Sequence, residues 1–377
     1  MTTVNRGRNI GFLAVGAAGG NIAEVADIAG YRAAVMNTAQ DDLDAITTVT
    51  NKFKIGISEG CGKDRNIAKE EVRRSYREIV EFVKNTFDSS IEMIYVCFST
   101  GGGTGSGSGP IITDILTRSL PEKKFAAIPV LPALDESMVA QYNSLECLNE
   151  LSKLNLPTLI VDNQKYAEAA GDQKFTKKQL FDTINESIIE DFDLIFKKRT
   201  SSKYGNIDRK DLMKLLCTPG NQYIVPVHLT KEELTNVTRT MIDNLHRSIY
   251  CNLELDNVVR RMGFIFDIPD FATKSIDFEA IQREIGKPLE VFEGIYDSNN
   301  DDHVAISIFS GLSFPEKRIK QIKAVIDRDR KEIVQAKDIN IFDSSEVSWF
   351  NDLRGESTVK PQAPSDNFDL DSLFDNY

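Results

Sequence analysis

The feature that most narrows what this chain can fold into is STGGGTGSGSGP, residues 99–110, with six glycines in nine positions. Glycine this dense marks either a flexible linker or a backbone shaped for close approach. A linker lies between domains among polar residues. This stretch instead follows the apolar, strand-like IEMIYVCFS (91–99) and leads into PIITDILTRSL (110–120), a predicted helix with Pro110 in its first turn. Strand, glycine loop and helix start is a phosphate-binding arrangement, because free N–H groups and the helix dipole favour an anion. Neither common phosphate loop fits. A Walker loop needs a lysine directly after its glycines, and none follows here. A dinucleotide fingerprint needs glycines at i, i+2 and i+5; Gly103, Gly105 and Ser108 miss it, as do Gly105, Gly107 and Pro110.

Around this stretch, residues 9 to 160 alternate apolar runs with amphipathic ones. NIGFLAVG (9–16), RAAVMNT (32–38), FAAIPVLP and PTLIVDN read as strands, and 21–30 as a helix ended by Gly30. Residues 64–87 read as a long helix, with Ile67, Val72, Tyr76, Ile79 and Val83 near helical spacing. This alternation predicts a parallel sheet covered on both faces. Residues 176–198 predict one central helix with Leu180, Ile184, Ile188 and Phe192 aligned. Beyond 215 the pattern becomes α+β, with short strands at 222–229, 261–268, 289–296 and 303–311 and helices near 231–248, 276–285 and 315–336. The predicted organisation is 1–175, a nucleotide-binding α/β domain; 176–200, the central helix; 201–214, a loop and helix start; 215–312, an α+β domain; 313–354, a helical extension; and 355–377, a disordered acidic tail rich in Pro, Ser and Asp.

Bulk properties exclude other classes. The 377 residues are 41% hydrophobic and 27% charged, as in soluble globular proteins. No apolar run approaches a bilayer span, and the start reads as strand and turn, not as a signal peptide, so a cytoplasmic location is expected. Five scattered cysteines without a C-x-x-C pair point to reduced thiols, and three distant histidines give no metal motif. A net charge of −12 argues against direct DNA binding.

The string GGGTGSG (101–107) resembles the signature of the tubulin/FtsZ superfamily of GTPases. Other segments follow in that family's order: VGAAGGN (15–21), NTAQDDLD (37–44), EGCGKDRN (59–66), LPALDE (131–136), VDNQK (161–165) and GNIDRKD (205–211). The combination of NTAQDDLD, EGCGKDRN and a short acidic-aromatic tail resembles the plasmid and phage TubZ branch, and the second loop lacks N-T-D and Glu136 is followed by SMVAQY without the arginine usual in cell-division members. The cell-division ring GTPases are the alternative.

The resemblance implies that GTP or GDP lies across the C-terminal ends of the parallel strands, with Mg²⁺ on the phosphates. Phosphate contacts are then expected from Gly101, Gly102, Gly103, Thr104, Gly105, Ser106 and Gly107, with Gly19 and Gly20 on the α/β side and Asn21 opening the next helix. Gly60, Cys61 and Gly62 are expected over the γ-phosphate, with Lys63 and Arg65 as countercharges. Glu136 is expected on the ribose, Asn163 and Asn185 on the guanine edge, and Phe181 stacked on the base. Asn206, Asp208 and Asp211, matching the synergy loop N-x-D-x-x-D, are expected to act on the GTP of a neighbouring subunit. Implied partners are further copies of the chain, head to tail, and a DNA-binding adaptor docked on the tail; no membrane contact is implied.

Overall fold

The computed structural model describes residues 9–170, 176–199, 202, 205–251, 253–254, 259–297 and 302–335. The first half runs β1 (Ile10–Val15), α1 (Gly16–Ile28), β2 (Arg32–Asn37), α2 (Gln40–Ala45), β3 (Lys52–Lys54), α3 (Arg65–Thr86), β4 (Met93–Ser99) and α4 (Thr104–Ser119). It continues with β5 (Lys124–Leu131), α5 (Met138–Ser152), β6 (Pro157–Thr158), β7 (Val161–Asp162), α6 (Asn163–Ala170) and α7 (Lys177–Phe196). The rest comprises α8 (Arg209–Leu216), β8 (Gly220–Leu229), α9 (Val237–Asn244), β9 (Arg261–Asp267), α10 (Phe278–Ile285), β10 (Glu290–Tyr296), β11 (His303–Leu312) and α11 (Glu316–Gln335).

All the strands join one sheet in the order β10-β9-β11-β8-β6-β5-β4-β1-β2-β3, with β7 also on β5. Among the described strands, every strand-to-strand pairing is parallel except those of β11, which runs antiparallel to β8 and β9. The six residues of β1 are all buried, as expected for a strand covered on both faces. The α+β region joins the first half of the sheet through Pro157↔Gly220 and Thr158↔Asn221 and, beside them, through an antiparallel bridge between Val161 and Tyr250.

Local chemistry sets the helix ends. Asp64 caps α3 by accepting from the Asn66 N–H. Thr176 and Gln179 form a reciprocal capping box at α7. The α7 stripe Ile184, Ile188, Phe192 and Ile195 is buried, and Phe192 meets Phe12 and Tyr95 edge-on at 5.3 and 4.6 Å. The predicted strands beyond 215 appear within one or two residues of their expected bounds.

Three expectations are corrected. α4 begins at Thr104, not Pro110, so Pro110 lies inside the helix. A proline there removes the N–H that the Ser106 carbonyl needs. The buried Arg65 replaces it, its Nη2 donating to Ser106 O at 3.1 Å. The helix predicted over 231–248 breaks into a 3-10 turn, Glu233–Thr235, and α9, with Asn236 non-helical between them. PTLIVDN forms two very short strands, β6 and β7. The tail at 355–377 and residues 336–354 of the extension lie outside the described residues. Among the described residues, no helix is long and apolar enough to cross a membrane, and the five cysteines are unpaired.

Candidate functional site

The C-terminal ends of β1 and β4 feed directly into α1 and α4, so two helix N-termini converge at one end of the sheet. Gly16 opens α1 at φ +78°, and a Cβ there would lie 3.1 Å from the Gly105 N. Only glycine suits that contact and that backbone. In α4 the first intrahelical bond runs from Gly107 N to Gly103 O at 3.0 Å. The N–H groups of Thr104, Gly105 and Ser106 are therefore the open donors of the helix start. The sequence-predicted donor set narrows accordingly: Gly107 is engaged in the helix, and the Gly101 N–H donates to Ser99 Oγ at 3.2 Å. Gly19 and Gly20 also serve packing, since Cβ atoms there would strike Cys97 O at 2.1 Å and Ile46 Cδ1 at 3.0 Å. Asn21 is exposed in the second turn of α1 and does not open it.

The second and third loops close over these helix starts. Thr38 Oγ1 lies 2.7 Å from Thr104 Oγ1 and 3.3 Å from Cys61 Sγ, which ties three loops together. Gly60, Gly62 and Lys63 all have positive φ, which brings the third loop back across Gly103. Ser106 Oγ is turned inward onto Gly102 O. Arg65 is not a free countercharge: it is buried in an ion pair with Glu150, which Lys69 also contacts at 2.7 Å. Lys63 is exposed and reaches Ser137 Oγ at 3.2 Å.

Two positioning groups carry no motif. Asn143 Nδ2 donates to Lys63 O at 2.9 Å, Gly102 O at 3.2 Å and Gly101 O at 3.4 Å. The buried Glu71 carboxylate accepts from the Ile57 and Ser58 N–H groups at 2.6 and 3.4 Å, holding the start of the third loop. The loop atoms that Asn143 and Glu71 hold are backbone atoms, so sequence spacing gives no sign of them; Thr38 alone lay within a segment already singled out.

On the other flank, Glu136 Oε1 accepts from the Ala133 N–H at 2.9 Å within its own loop. Asn163 opens α6 and is buried, and its Oδ1 has no hydrogen-bond partner among the described residues. Asn185 is buried on α7, which packs against α6, whereas Phe181 on the same helix is 37% exposed. Asp162, beside Asn163, forms a buried pair with Arg318; burial pushes its carboxyl above the usual range, and the guanidinium only partly offsets this. Burial lowers the nearby Lys165 to about 8.

Asn206, Asp208 and Asp211 lie elsewhere. Asp208 caps α8 by accepting from the Lys210 and Asp211 N–H groups, and Asp211 accepts from the Asp208 N–H. Asn206 exchanges two 2.8 Å hydrogen bonds with the Ser202 backbone. Asn206 and Asp208 are exposed and Asp211 is half-buried. Arg209 is ion-paired with Glu92, just before β4 begins. The acidic group therefore sits at the entry of β4 and the glycine loop at its exit, seven strand residues away. At about 3.3 Å per residue the two are separated by roughly 20 Å.

Residues 9–171 match the model of the Tubulin/FtsZ family, GTPase domain. The tubulin-like protein TubZ of Clostridium botulinum C phage is 24% identical over 380 residues, covering 97% of this chain and 98% of its own. The tubulin-like protein CetZ of Pyrococcus abyssi is 23% identical over 340 residues, covering 86% and 91%. Among solved structures, a GTPγS-form protofilament of Bacillus thuringiensis serovar israelensis TubZ superposes with a TM-score of 0.75 at 16% identity, covering 90% of this chain and 96% of that one.

Proposed function

We propose, on the premise that residues 9–171 are a GTPase domain of the Tubulin/FtsZ family in a chain with the tubulin/FtsZ fold, that this protein hydrolyses GTP to GDP and phosphate within a head-to-tail row of its own copies. The carrying observation is the separation of the glycine loop from Asp208 and Asp211 at opposite ends of β4. One chain cannot bring them together, whereas stacking the exit of one sheet on the entry of the next does. Such a heterologous contact does not close on itself and generates filaments.

The triphosphate lies on the starts of α1 and α4, held by N–H groups of Thr104, Gly105 and Ser106 with Gly102 and Gly103 alongside. Gly60, Cys61 and Gly62 cover the γ-phosphate, Glu136 takes the ribose, and Asn163 and Asn185 take the guanine edge with Phe181 against the base. The unpartnered, buried Oδ1 of Asn163 fits an acceptor awaiting the exocyclic 2-amino group of the guanine. The described residues contain no group of three His, Cys, Asp or Glu able to hold a metal. Mg²⁺ would accompany the triphosphate and would supply charge neutralisation there. Asp208 and Asp211 of the next copy, with Asn206 beside them, orient the attacking water, and the helix-start N–H groups stabilise the developing charge. In this reading the rows move plasmid or phage DNA through a basic DNA-binding adaptor that docks on residues 355–377, because the acidic chain does not itself attract DNA.

The test is complementation. Asp211→Asn keeps an acceptor for the Asp208 N–H but removes the charge; it should bind GTP, assemble and fail to hydrolyse. Gly103→Val, whose Cβ would lie 2.8 Å from the Cys61 Cβ, should not bind GTP. Neither variant alone should turn over GTP, but a mixture should regain measurable phosphate release. Undiminished turnover by Asp211→Asn alone, or a silent mixture that still co-assembles, rules the reading out.

A further inference from the structure

Residues around the guanine and ribose flank are tied to a helix far outside the segment that matches the family model. Arg318, on α11, donates from Nε to both oxygens of Asp162, 156 positions away, at 3.1 and 3.0 Å. Its Nη2 donates to Pro132 O at 2.5 Å. The Arg318 and Asp162 side chains are only 4% and 2% exposed. Asp162 is the residue before Asn163, and its Oδ1 also accepts from the Gln164 N–H at 3.1 Å. Gln164 Oε1 in turn accepts from the Leu134 N–H at 2.8 Å, and Pro132 directly precedes the loop that carries Glu136. One guanidinium thus fixes the start of α6 and the ribose-side loop to each other.

The packing around it is apolar. Ile322 and Ile326 of α11 pack with Leu131, Leu148 and Ile160, so α11 is seated without needing a charge. A buried ion pair is in general no more stabilising than an apolar replacement of the same volume. What it adds here is direction: two loops are held at fixed angles by a planar, multidentate group.

We propose that Arg318 is a positioning residue for base recognition, aligning Asn163 and the ribose-side loop so that discrimination among purine nucleotides depends on α11. The proposal rests on the reading that Asn163 faces the guanine. It predicts that base choice depends on a residue 147 positions past the end of the family-matched segment (318 − 171).

The experiment measures dissociation constants for GTP and for ITP, which lacks the 2-amino group, by competition against a fluorescent GTP analogue at concentrations below assembly. Wild type, Asn163→Ala, Arg318→Met and Arg318→Lys are compared, with thermal melts to establish folding. Wild type should prefer GTP. Arg318→Met should weaken GTP binding about tenfold, the worth of one hydrogen bond, and pull the GTP-to-ITP preference toward that of Asn163→Ala. Arg318→Lys, which keeps the charge, should recover part of both. If Arg318→Met leaves both constants unchanged, or weakens GTP and ITP by the same factor, the proposal is overturned. If Asn163→Ala keeps the preference while Arg318→Met loses it, Arg318 stands and the Asn163 assignment fails. A wild type indifferent to the 2-amino group overturns base reading and proposal together, and does so before any variant is made. Should Arg318→Met not fold, the pair Asp162→Asn with Arg318→Gln leaves no unpaired buried charge and carries the same comparison.

Discussion

Asn143 shows how much a single side chain can organise. Its amide holds carbonyls from two loops, 80, 42 and 41 positions away in sequence. Asn143→Ala leaves those carbonyls without their donor, at a cost of about 1–3 kcal/mol. The expected result is a lowered melting temperature and GTP binding weakened by roughly an order of magnitude, about 1.4 kcal/mol. A variant with wild-type affinity and stability would show that the loops hold themselves. The glycines, the two aspartates and Asn163 could be singled out as candidates because each sits in a string with fixed spacing; Asn185 was placed only by its position on the 176–198 helix. Asn143 and Glu71 were not, because backbone partners leave no pattern in sequence. Arg65 was misread for a related reason: its partners Glu150 and Ser106 O become neighbours only when α5 and α4 pack beside α3.

At the level of elements, the start of α4 is the instructive case. Gly and Ser are poor helix formers, so the sequence delays the helix to Pro110. The structure starts it at Thr104 because small residues let α4 lie against its neighbours: Cβ atoms at Gly105 and Gly107 would come within 2.7 Å of Ser99 O and 2.5 Å of Arg65 O. Close tertiary approach outweighs propensity over those residues. The proline then needs Arg65 as a substitute donor. Pro110→Ala supplies an N–H to Ser106 O, so Arg65→Met should cost less in that background than in wild type. A double-mutant cycle by urea unfolding should give a coupling of about 1 kcal/mol. Strictly additive changes would show that Arg65 serves only its pair with Glu150. The later strands were easier to read, since β-branched and aromatic runs bounded by polar turns carry their own period.

For the molecule as a whole, the sequence suggested separate α/β and α+β regions, and the chain builds both into one sheet. No local pattern encodes that union, because the seam pairs β6 with β8 and Val161 with Tyr250, partners over sixty residues apart in sequence. Near this seam Asp191 of α7 is buried, and desolvation raises its carboxyl to about 8, with the Glu190 charge adding to the rise and Tyr250 partly opposing it. The unfolded chain releases that proton above the ordinary value of 3.8, whereas the fold keeps it until about 8. Its contribution is complete below the unfolded value and lost as pH rises through the folded one, at about 1.4 kcal/mol per pH unit across that window. Urea unfolding from pH 5 to 8 should therefore show Asp191→Asn gaining on wild type as pH rises; parallel curves would place the ionisation elsewhere. A last consequence follows from the two ends of β4. On the proposed reading, a row of n copies contains n − 1 finished sites. The copy whose glycine loop faces no neighbour is therefore slow to lose its triphosphate, and each row carries a chemical label on one tip that distinguishes it from the other.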